Sequence, residues 1–225
     1  LLHSSITNDT TRNYMSALKE FSESQLDRQE ASLTSNTGRE AADRAALVIE
    51  RQKAALNMAL AHAETSEGLT PEVLCEWHEE LCGGGLHVKA GSIRKKNVQA
   101  GNTMFTPKEL VKSELRKVCE GLKVLESRLL RHAELKNEKK ALGCATFAAA
   151  TFFAVIDTHP FADGNGRLSR IAANWALRRG GLPFVINVFA TKEQRRETVA
   201  AILDTRRNTY LVSRGAVSED VFLGA

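Results

Sequence analysis

The chain has 225 residues, 43% of them hydrophobic, which is enough to bury the core of one domain with an additional N-terminal element. Its 31 basic and 27 acidic residues give a net charge of +4, an excess too small for a dedicated nucleic-acid binder. No stretch reaches the roughly 18 uninterrupted apolar residues of a membrane span, so we expect a protein that binds neither nucleic acid nor a membrane.

The cysteines and the first residues bear on the compartment. Cys75, Cys82, Cys119 and Cys144 lie in apolar stretches and form no CxxC pair, which favours buried thiols in a reducing compartment over disulfides. The first residues contain no basic start followed by an apolar run, as a secretory signal would. We therefore expect a cytoplasmic protein.

Frequent Ala, Leu, Glu, Lys and Arg with only four prolines predict an all-α protein. In chain order, the predicted helices span about residues 11–33, 39–62, 71–81, 107–132, 138–157, 167–178 and 191–211. The third follows the N-cap residue Thr70 and begins with Pro71. Segment 138–157 is apolar nearly all round, which predicts that it runs through the centre of the fold. Segment 86–105 lacks helical periodicity and predicts a short β-hairpin or flap.

The residues most suited to chemistry are concentrated between His159 and Arg170, where a glycine-rich turn joins two predicted helices. Gly164 and Gly166 flank Asn165 and can adopt positive φ, which leaves backbone N–H groups pointing into a concavity where a helix begins. Such a place binds anions.

Four charged or titratable side chains of this segment point to phosphoryl-group chemistry. Arg167 and Arg170 are three residues apart on one helix and can each donate forked hydrogen bonds to phosphate oxygens. Asp163 offers a hard oxygen ligand for a Mg²⁺ ion that bridges phosphates. His159 is the only nearby group that accepts a proton near neutral pH. A lone Gly-Asn-Gly turn or two solvated arginines would be structural, but their coincidence in twelve residues favours a functional site.

Residues 159–170 read HPFADGNGRLSR and match in full the signature HPFx(D/E)GNGRxxR, so the chain resembles the Fic family, whose members mostly transfer AMP to Ser, Thr or Tyr of target proteins. The resemblance covers about residues 45–210 and implies a Fic-type helical bundle with a short β-hairpin flap. It suggests three parts: an N-terminal helical element at 1–44 that is a candidate inhibitor, a Fic core at 45–212, and a C-terminal tail at 213–225.

The resemblance implies a role for the residues around the reacting groups. His159 would deprotonate the attacking hydroxyl of the target protein, Phe161 would pack inward to anchor the loop, and Asp163 would bind Mg²⁺. The flap would pair with the backbone of the target by strand addition and align the hydroxyl. The flap residues are Val98, Gln99, Ala100, Gly101, Asn102, Thr103 and Met104.

The resemblance also implies that ATP is the co-substrate and pyrophosphate the leaving group. The backbone amides of Gly164 to Gly166, with Asn165, would hold the α-phosphate. Arg167 and Arg170 would bind the β- and γ-phosphates. The expected partners are thus ATP and a protein with a hydroxyl side chain, and the sequence indicates no oligomeric state.

Many Fic proteins carry an inhibitory helix with the pattern (S/T)xxxE(G/N), whose glutamate pairs with the second arginine of the motif, here Arg170. Three segments match this pattern imperfectly: Ser16 to Glu20, followed by Phe21; His3 to Asp9; and Asn36 to Glu40. We expect the N-terminal element to occupy the inhibitory position without a normal glutamate, so that removal of residues 1–33 raises auto-labelling.

Several alternatives stay open at this stage. The same fold transfers UMP, phosphocholine or phosphate in some relatives, removes AMP in others, and could serve as an inactive nucleotide-binding module. His78 to Cys82 resembles the HExxH zinc helix, but a cysteine replaces the second histidine, which favours a packed face touching the catalytic core. The basic cluster Arg94 to Lys96 predicts a solvated loop.

Overall fold

The computed structural model describes residues 38–84, 89–100, 103–130 and 137–182, together with the separate positions 193, 196, 197, 200–202 and 204. The chain divides into two compact units, Leu1–Asn187 and Val188–Ala225. In the second unit the described positions are all helical, within the helix predicted over 191–211. The predicted helix over 11–33 and the three inhibitor-like segments lie outside the described residues. The exception is residues 38–40, the end of the third of these segments. The domain boundaries at 44 and 212 stay predictions.

The described part of the first unit is helical, with one short antiparallel hairpin. Its elements are α1 (Gly38–Ala63), α2 (Pro71–Cys82), β1 (Gln99–Ala100), β2 (Thr103–Met104), α3 (Val111–Leu130), α4 (Asn137–Thr158) and α5 (Asn165–Arg179). In the hairpin Gln99 pairs with Met104 and Ala100 with Thr103. The predicted all-α fold with a short hairpin is confirmed.

Local sequence accounts for the start of α2, whereas a separate turn shifts the start of α3. The hydroxyl of Thr70 accepts a hydrogen bond from the N–H of Val73 at 3.2 Å, and Pro71 occupies the first helical position, as predicted for α2. Before α3, the chain forms a turn in which the N–H of Leu110 donates to the carbonyl of Pro107 at 2.9 Å. That turn delays the start of α3 to Val111, four residues after the predicted start.

Helix α5 is the most enclosed element of the described unit. Every residue from Leu168 to Leu177 is buried, and α5 packs against both α4 and α1. Helix α4, which the sequence predicts to run through the centre of the fold, is buried at Cys144, Phe147 and Ala148, whereas Ala145, Thr146 and Ala149 on it are exposed. Small side chains make α4 apolar all round but leave little surface that needs covering.

One segment of α4, Lys140–Thr158, is long and apolar enough by length and composition alone to cross a membrane. A core helix of a globular domain meets the same criterion. Its packing against α3 and α5 accounts for the apolar composition, with Cys144, Phe147 and Val155 fully buried.

Aromatic rings join the end of α1 to α2 and α5. The ring of His62, in the last turn of α1, lies 5.7 Å from the ring of Trp77 and 6.1 Å from that of Trp175, between centroids. Desolvation in this cluster lowers the pKa of His62 below its usual value. His62 therefore lies at the end of a helix with its ring packed between two tryptophans.

Candidate active site

The segment from His159 to Asp163 connects the end of α4 to the start of α5. The N–H of His159 still donates to the carbonyl of Val155 at 3.1 Å, as in a continuing helix. His159 itself has φ of 50°, the one positive value among the described non-glycine residues. A β-carbon makes this left-handed conformation costly, so surrounding contacts must hold it in place.

Two contacts orient the imidazole of His159. Its Nδ1 lies 3.0 Å from the carbonyl oxygen of Ile156, and the ring of Phe105 stacks on it with centroids 3.7 Å apart and planes 16° apart. Because a carbonyl oxygen only accepts, Nδ1 must carry the hydrogen in the neutral ring, and Nε2 then carries the lone pair. The geometry therefore makes Nε2 the basic atom.

The side chain of Asn165 holds the loop from inside. Its Oδ1 accepts from the N–H of Phe161 at 3.0 Å, and its Nδ2 donates to the carbonyl of Phe161 at 2.8 Å. Phe161 is fully buried, where the predicted anchor belongs, and stacks on the ring of His78 at 3.8 Å. Since both ends of the Asn165 amide bind the backbone, its predicted contact with phosphate rests on its own N–H.

Helix α5 begins at this loop with the geometry of an anion site. Gly164 is the N-cap residue with φ of 79°, and no side chain caps the helix. The N–H groups of Asn165 and Gly166 belong to the first turn, where an α-helix offers no internal acceptor and its dipole favours negative charge. The exposed Asp163 stands beside them and accepts a 2.7 Å hydrogen bond from the N–H of Gly164 through Oδ1.

Both predicted phosphate-binding arginines follow on α5. Arg167 is half-buried, with Nη2 3.8 Å from the sulfur of Cys82, and Arg170 is buried. The structure thus brings Asp163, Arg167 and Arg170 together with the N-terminus of α5 within eight residues of chain.

Helix α2 supports the loop through a side chain whose role the sequence did not reveal. The Nδ1 of His78 accepts from the N–H of Gly91 at 2.9 Å, and its Nε2 lies 2.9 Å from the carbonyl of Asp163, to which it donates. One turn later, the buried Cys82 lies beside Arg167, and burial raises the pKa of its thiol to about 11. The predicted packed face at the catalytic core agrees with these contacts, and the described residues contain no group of three metal-ligating side chains.

Arg94 differs from the predicted solvated loop. Its side chain is only 5% exposed, whereas the next two residues, Lys95 and Lys96, are exposed. Its guanidinium donates to three carbonyl oxygens, among them that of His159. Charge and composition do not separate Arg94 from the lysines, because three adjacent cations in a glycine-containing loop are usually all solvated.

The predicted flap coincides with the hairpin. Val98 is half-buried and its carbonyl accepts from the N–H of Phe105 at 3.4 Å, while the side chains of Gln99 and Met104 are exposed. The loop at Gly101 and Asn102 and the side chains of Ala100 and Thr103 lie outside the described residues.

Comparison with known proteins decides the family. Residues 68–177 match the Fic/DOC family. A Fido domain-containing protein of Dictyostelium discoideum is 30% identical over 110 residues, which cover 49% of this chain and 69% of that protein. The chain belongs to the Fic/DOC family.

Two relatives of the chain carry the names of transferases. A uridine 5'-monophosphate transferase of Xanthomonas campestris is 38% identical over 100 residues, 41% of this chain and 17% of that protein. Protein adenylyltransferase fic-1 of Caenorhabditis elegans is 30% identical over 143 residues, 62% of this chain and 25% of that protein. The match therefore spans a quarter or less of either transferase.

The fold agrees with a solved Fic/DOC structure. Residues 134–508 of Fic-1 from Caenorhabditis elegans superimpose with a TM-score of 0.61, covering 91% of this chain and 59% of that one. At 22% identity, this likeness shows a common fold.

Proposed function

We propose that the protein transfers AMP from ATP to a Ser, Thr or Tyr hydroxyl of a target protein and releases pyrophosphate. The observation that carries this proposal is the imidazole of His159, whose Nδ1 binds the carbonyl of Ile156 and whose basic Nε2 belongs to the loop that begins α5. A general base next to an anion-binding helix N-terminus suits the attack of a hydroxyl on a phosphate.

In this reaction the oxygen of the hydroxyl attacks the α-phosphorus. The hydroxyl proton moves to Nε2 of His159, and the bond between the α-phosphorus and the oxygen bridging to the β-phosphate breaks. The electron pair of that bond leaves with pyrophosphate. The imidazolium that forms is stabilised by its Nδ1–H bond to Ile156, because that bond strengthens when the ring is charged.

The N-terminus of α5 fits a nucleotide. The N–H groups of Asn165 and Gly166 offer donors for the α-phosphate, and Arg167 and Arg170 offer cations for the β- and γ-phosphates. Asp163 would hold Mg²⁺, which neutralises the charge of the phosphates when bound. One exposed carboxylate suffices for such an ion, because Mg²⁺ takes its remaining ligands from phosphates and water.

The flap supports a protein as acceptor. Its two short strands leave an edge to which an extended peptide can add as a third strand, with hydrogen bonds between backbones. Met104 is 56% exposed beside Phe105, which stacks on His159, so a peptide bound along this edge passes near the base.

A second donor, UTP, is favoured by one observation. The relative named a uridine 5'-monophosphate transferase has 38% identity, against 30% for the adenylyltransferase of Caenorhabditis elegans, although over a shorter stretch. The phosphate site described above is common to both nucleotides, and UMP transfer is therefore the alternative to AMP transfer.

The test is incubation of the protein with Mg²⁺, a cell lysate, and either α-labelled ATP or α-labelled UTP. We expect ATP to label protein, and we expect this labelling to be lost in His159→Ala. The control variant Lys117→Ala, at an exposed position of α3, should label as the wild type does. A positioned base contributes roughly a hundred- to ten-thousand-fold in rate. γ-Labelled ATP is the control for phosphate transfer.

Label from UTP alone would replace AMP by UMP, and label from γ-labelled ATP alone that is lost in His159→Ala would replace nucleotide by phosphate transfer. Absence of label from every donor, in the full chain and after removal of residues 1–33, would contradict transferase activity. A rise in auto-labelling on that removal would support the proposed inhibitory role of the N-terminal element.

A further inference from the structure

The guanidinium of Arg94 connects the segment before α3 to the loop that carries the base. Its Nε donates to the carbonyl of His159 at 2.7 Å, its Nη1 to the carbonyl of Lys96 at 2.9 Å, and its Nη2 to the carbonyl of Thr106. Its own N–H donates to the carbonyl of Pro160 at 2.9 Å. Backbone and side chain of one residue therefore hold two consecutive carbonyls of the catalytic loop.

This arrangement is costly for stability alone. Arg94 is 5% exposed, and among the residues that the structure describes no carboxylate forms an ion pair with it. Desolvation lowers the pKa of Arg94 from its usual value. A buried cation whose charge is balanced only by carbonyl dipoles stabilises a fold less than apolar side chains of similar volume would. A role in orienting the groups it binds accounts for its presence.

Two of the carbonyls bound by Arg94 belong to the segments that carry and cover the imidazole of His159. One is the carbonyl of His159 itself, a residue whose φ of 50° needs external support. Another is the carbonyl of Thr106, the residue next to Phe105, whose ring stacks on the imidazole. One guanidinium thus binds the backbone of His159, which bears the imidazole, and the backbone next to Phe105, whose ring covers it.

We propose that Arg94 is a positioning residue, which sets the distance and orientation of Nε2 of His159 relative to a hydroxyl presented by the hairpin. This inference rests on the proposed transfer reaction. Arg94 touches neither nucleotide nor target in this role; it acts through the carbonyls of His159 and Thr106. The planar guanidinium distributes five donors over three nitrogens and can therefore reach three separate carbonyls. The three donors of a lysine ammonium are all on one nitrogen.

A second arginine provides a matched control. Arg179, at the other end of α5, also donates to three backbone carbonyls, those of Ala63, Thr65 and Ser66, and to Glu126. The 15 residues of α5 separate it from the catalytic loop by roughly 20 Å. Arg179→Lys therefore removes a similar set of hydrogen bonds without touching the loop.

The experiment compares Arg94→Lys, Arg94→Gln and Arg179→Lys in the full chain. We expect both Arg94 variants to transfer label about 100-fold more slowly, the loss typical of a base displaced by about 1 Å, while their affinity for ATP stays at the wild-type value. Arg179→Lys should lower Tm but keep the wild-type rate. Arg94→Gln introduces no buried ammonium and so keeps the test informative if Arg94→Lys fails to fold.

Amide hydrogen exchange gives a readout that does not require activity. The N–H groups of Arg94 and Phe105 donate to Pro160 and Val98, so peptides covering 91–106 should exchange faster in the Arg94 variants than in Arg179→Lys. Wild-type transfer rates in both Arg94 variants would overturn the inference, as would a parallel loss of rate, ATP affinity and Tm. If the wild type transfers no nucleotide, the proposed function fails. Independently of that result, unchanged amide exchange in 91–106 in the Arg94 variants would overturn the inference that Arg94 holds this segment against the catalytic loop.

Discussion

The packing of Gly164 allows a prediction whose two causes can be separated. Gly164 has φ of 79°, a value that costs an alanine about 1–2 kcal/mol. A β-carbon at this position would also stand 2.7 Å from the sulfur of Cys82 and 3.1 Å from Nε2 of His78. Crowding of this kind in a packed interior costs about 1–3 kcal/mol. Together the two effects predict that Gly164→Ala lowers the free energy of unfolding by about 2–5 kcal/mol.

A second substitution removes the closest steric contact and leaves the positive φ. Cys82 is fully buried, and Cys82→Ala deletes the sulfur that the new β-carbon would meet at 2.7 Å, while Nε2 of His78 stays at 3.1 Å. The double variant should therefore recover a part of the steric cost of about 1–3 kcal/mol relative to the sum of the single variants, while the cost of the positive φ persists. Its nucleotide binding should also recover in part, because the start of α5 moves back towards its original position.

The assay is urea unfolding of the wild type, both single variants and the double variant, followed by circular dichroism. Strict additivity of the two single effects would refute the steric part of the argument. A wild-type free energy of unfolding in Gly164→Ala would refute both parts. Ala162→Gly, at an exposed position of the same loop, is the control for a general effect of changing loop composition.

Three further predictions concern titration and binding. Burial lowers the pKa of His62 below its usual value of 6.5, so that at lower pH the unfolded chain binds more protons than the folded chain. The urea midpoint should therefore fall as pH drops through 6.5, and it should fall more in the wild type than in His62→Gln. Burial raises the pKa of the Cys82 thiol to about 11 and that of Cys119 to about 12, so mass mapping after iodoacetamide at mildly alkaline pH should show both unmodified until the protein unfolds. Arg167→Ala should weaken ATP binding by roughly 10- to 150-fold, from loss of about 1.5–3 kcal/mol, and an unchanged Kd by calorimetry would exclude Arg167 from the phosphate site.

Short-range signals predicted most of the described elements. The hydroxyl of Thr70 and the ring of Pro71 act within one turn, so the start of α2 follows from a few neighbouring residues. The positive φ of Gly164 likewise follows from a local turn. The predicted start of α3 was wrong by four residues because the chain first makes a separate turn at Pro107, in which the N–H of Lys108 donates to Oδ1 of Asn97 at 2.9 Å.

The sequence by itself determined the family resemblance, the candidate anion-binding turn and the candidate base, because these lie within twelve consecutive residues whose residue types can be read without distant contacts. Only the tertiary structure decided how the loop is held. It buried Arg94 while leaving Lys95 exposed, and it placed His78 between Gly91 and Asp163. The contacts of Arg94 with His159 and of His78 with Asp163 join residues 65 and 85 positions apart, and the burial of a polar side chain depends on which carbonyls the fold brings to it.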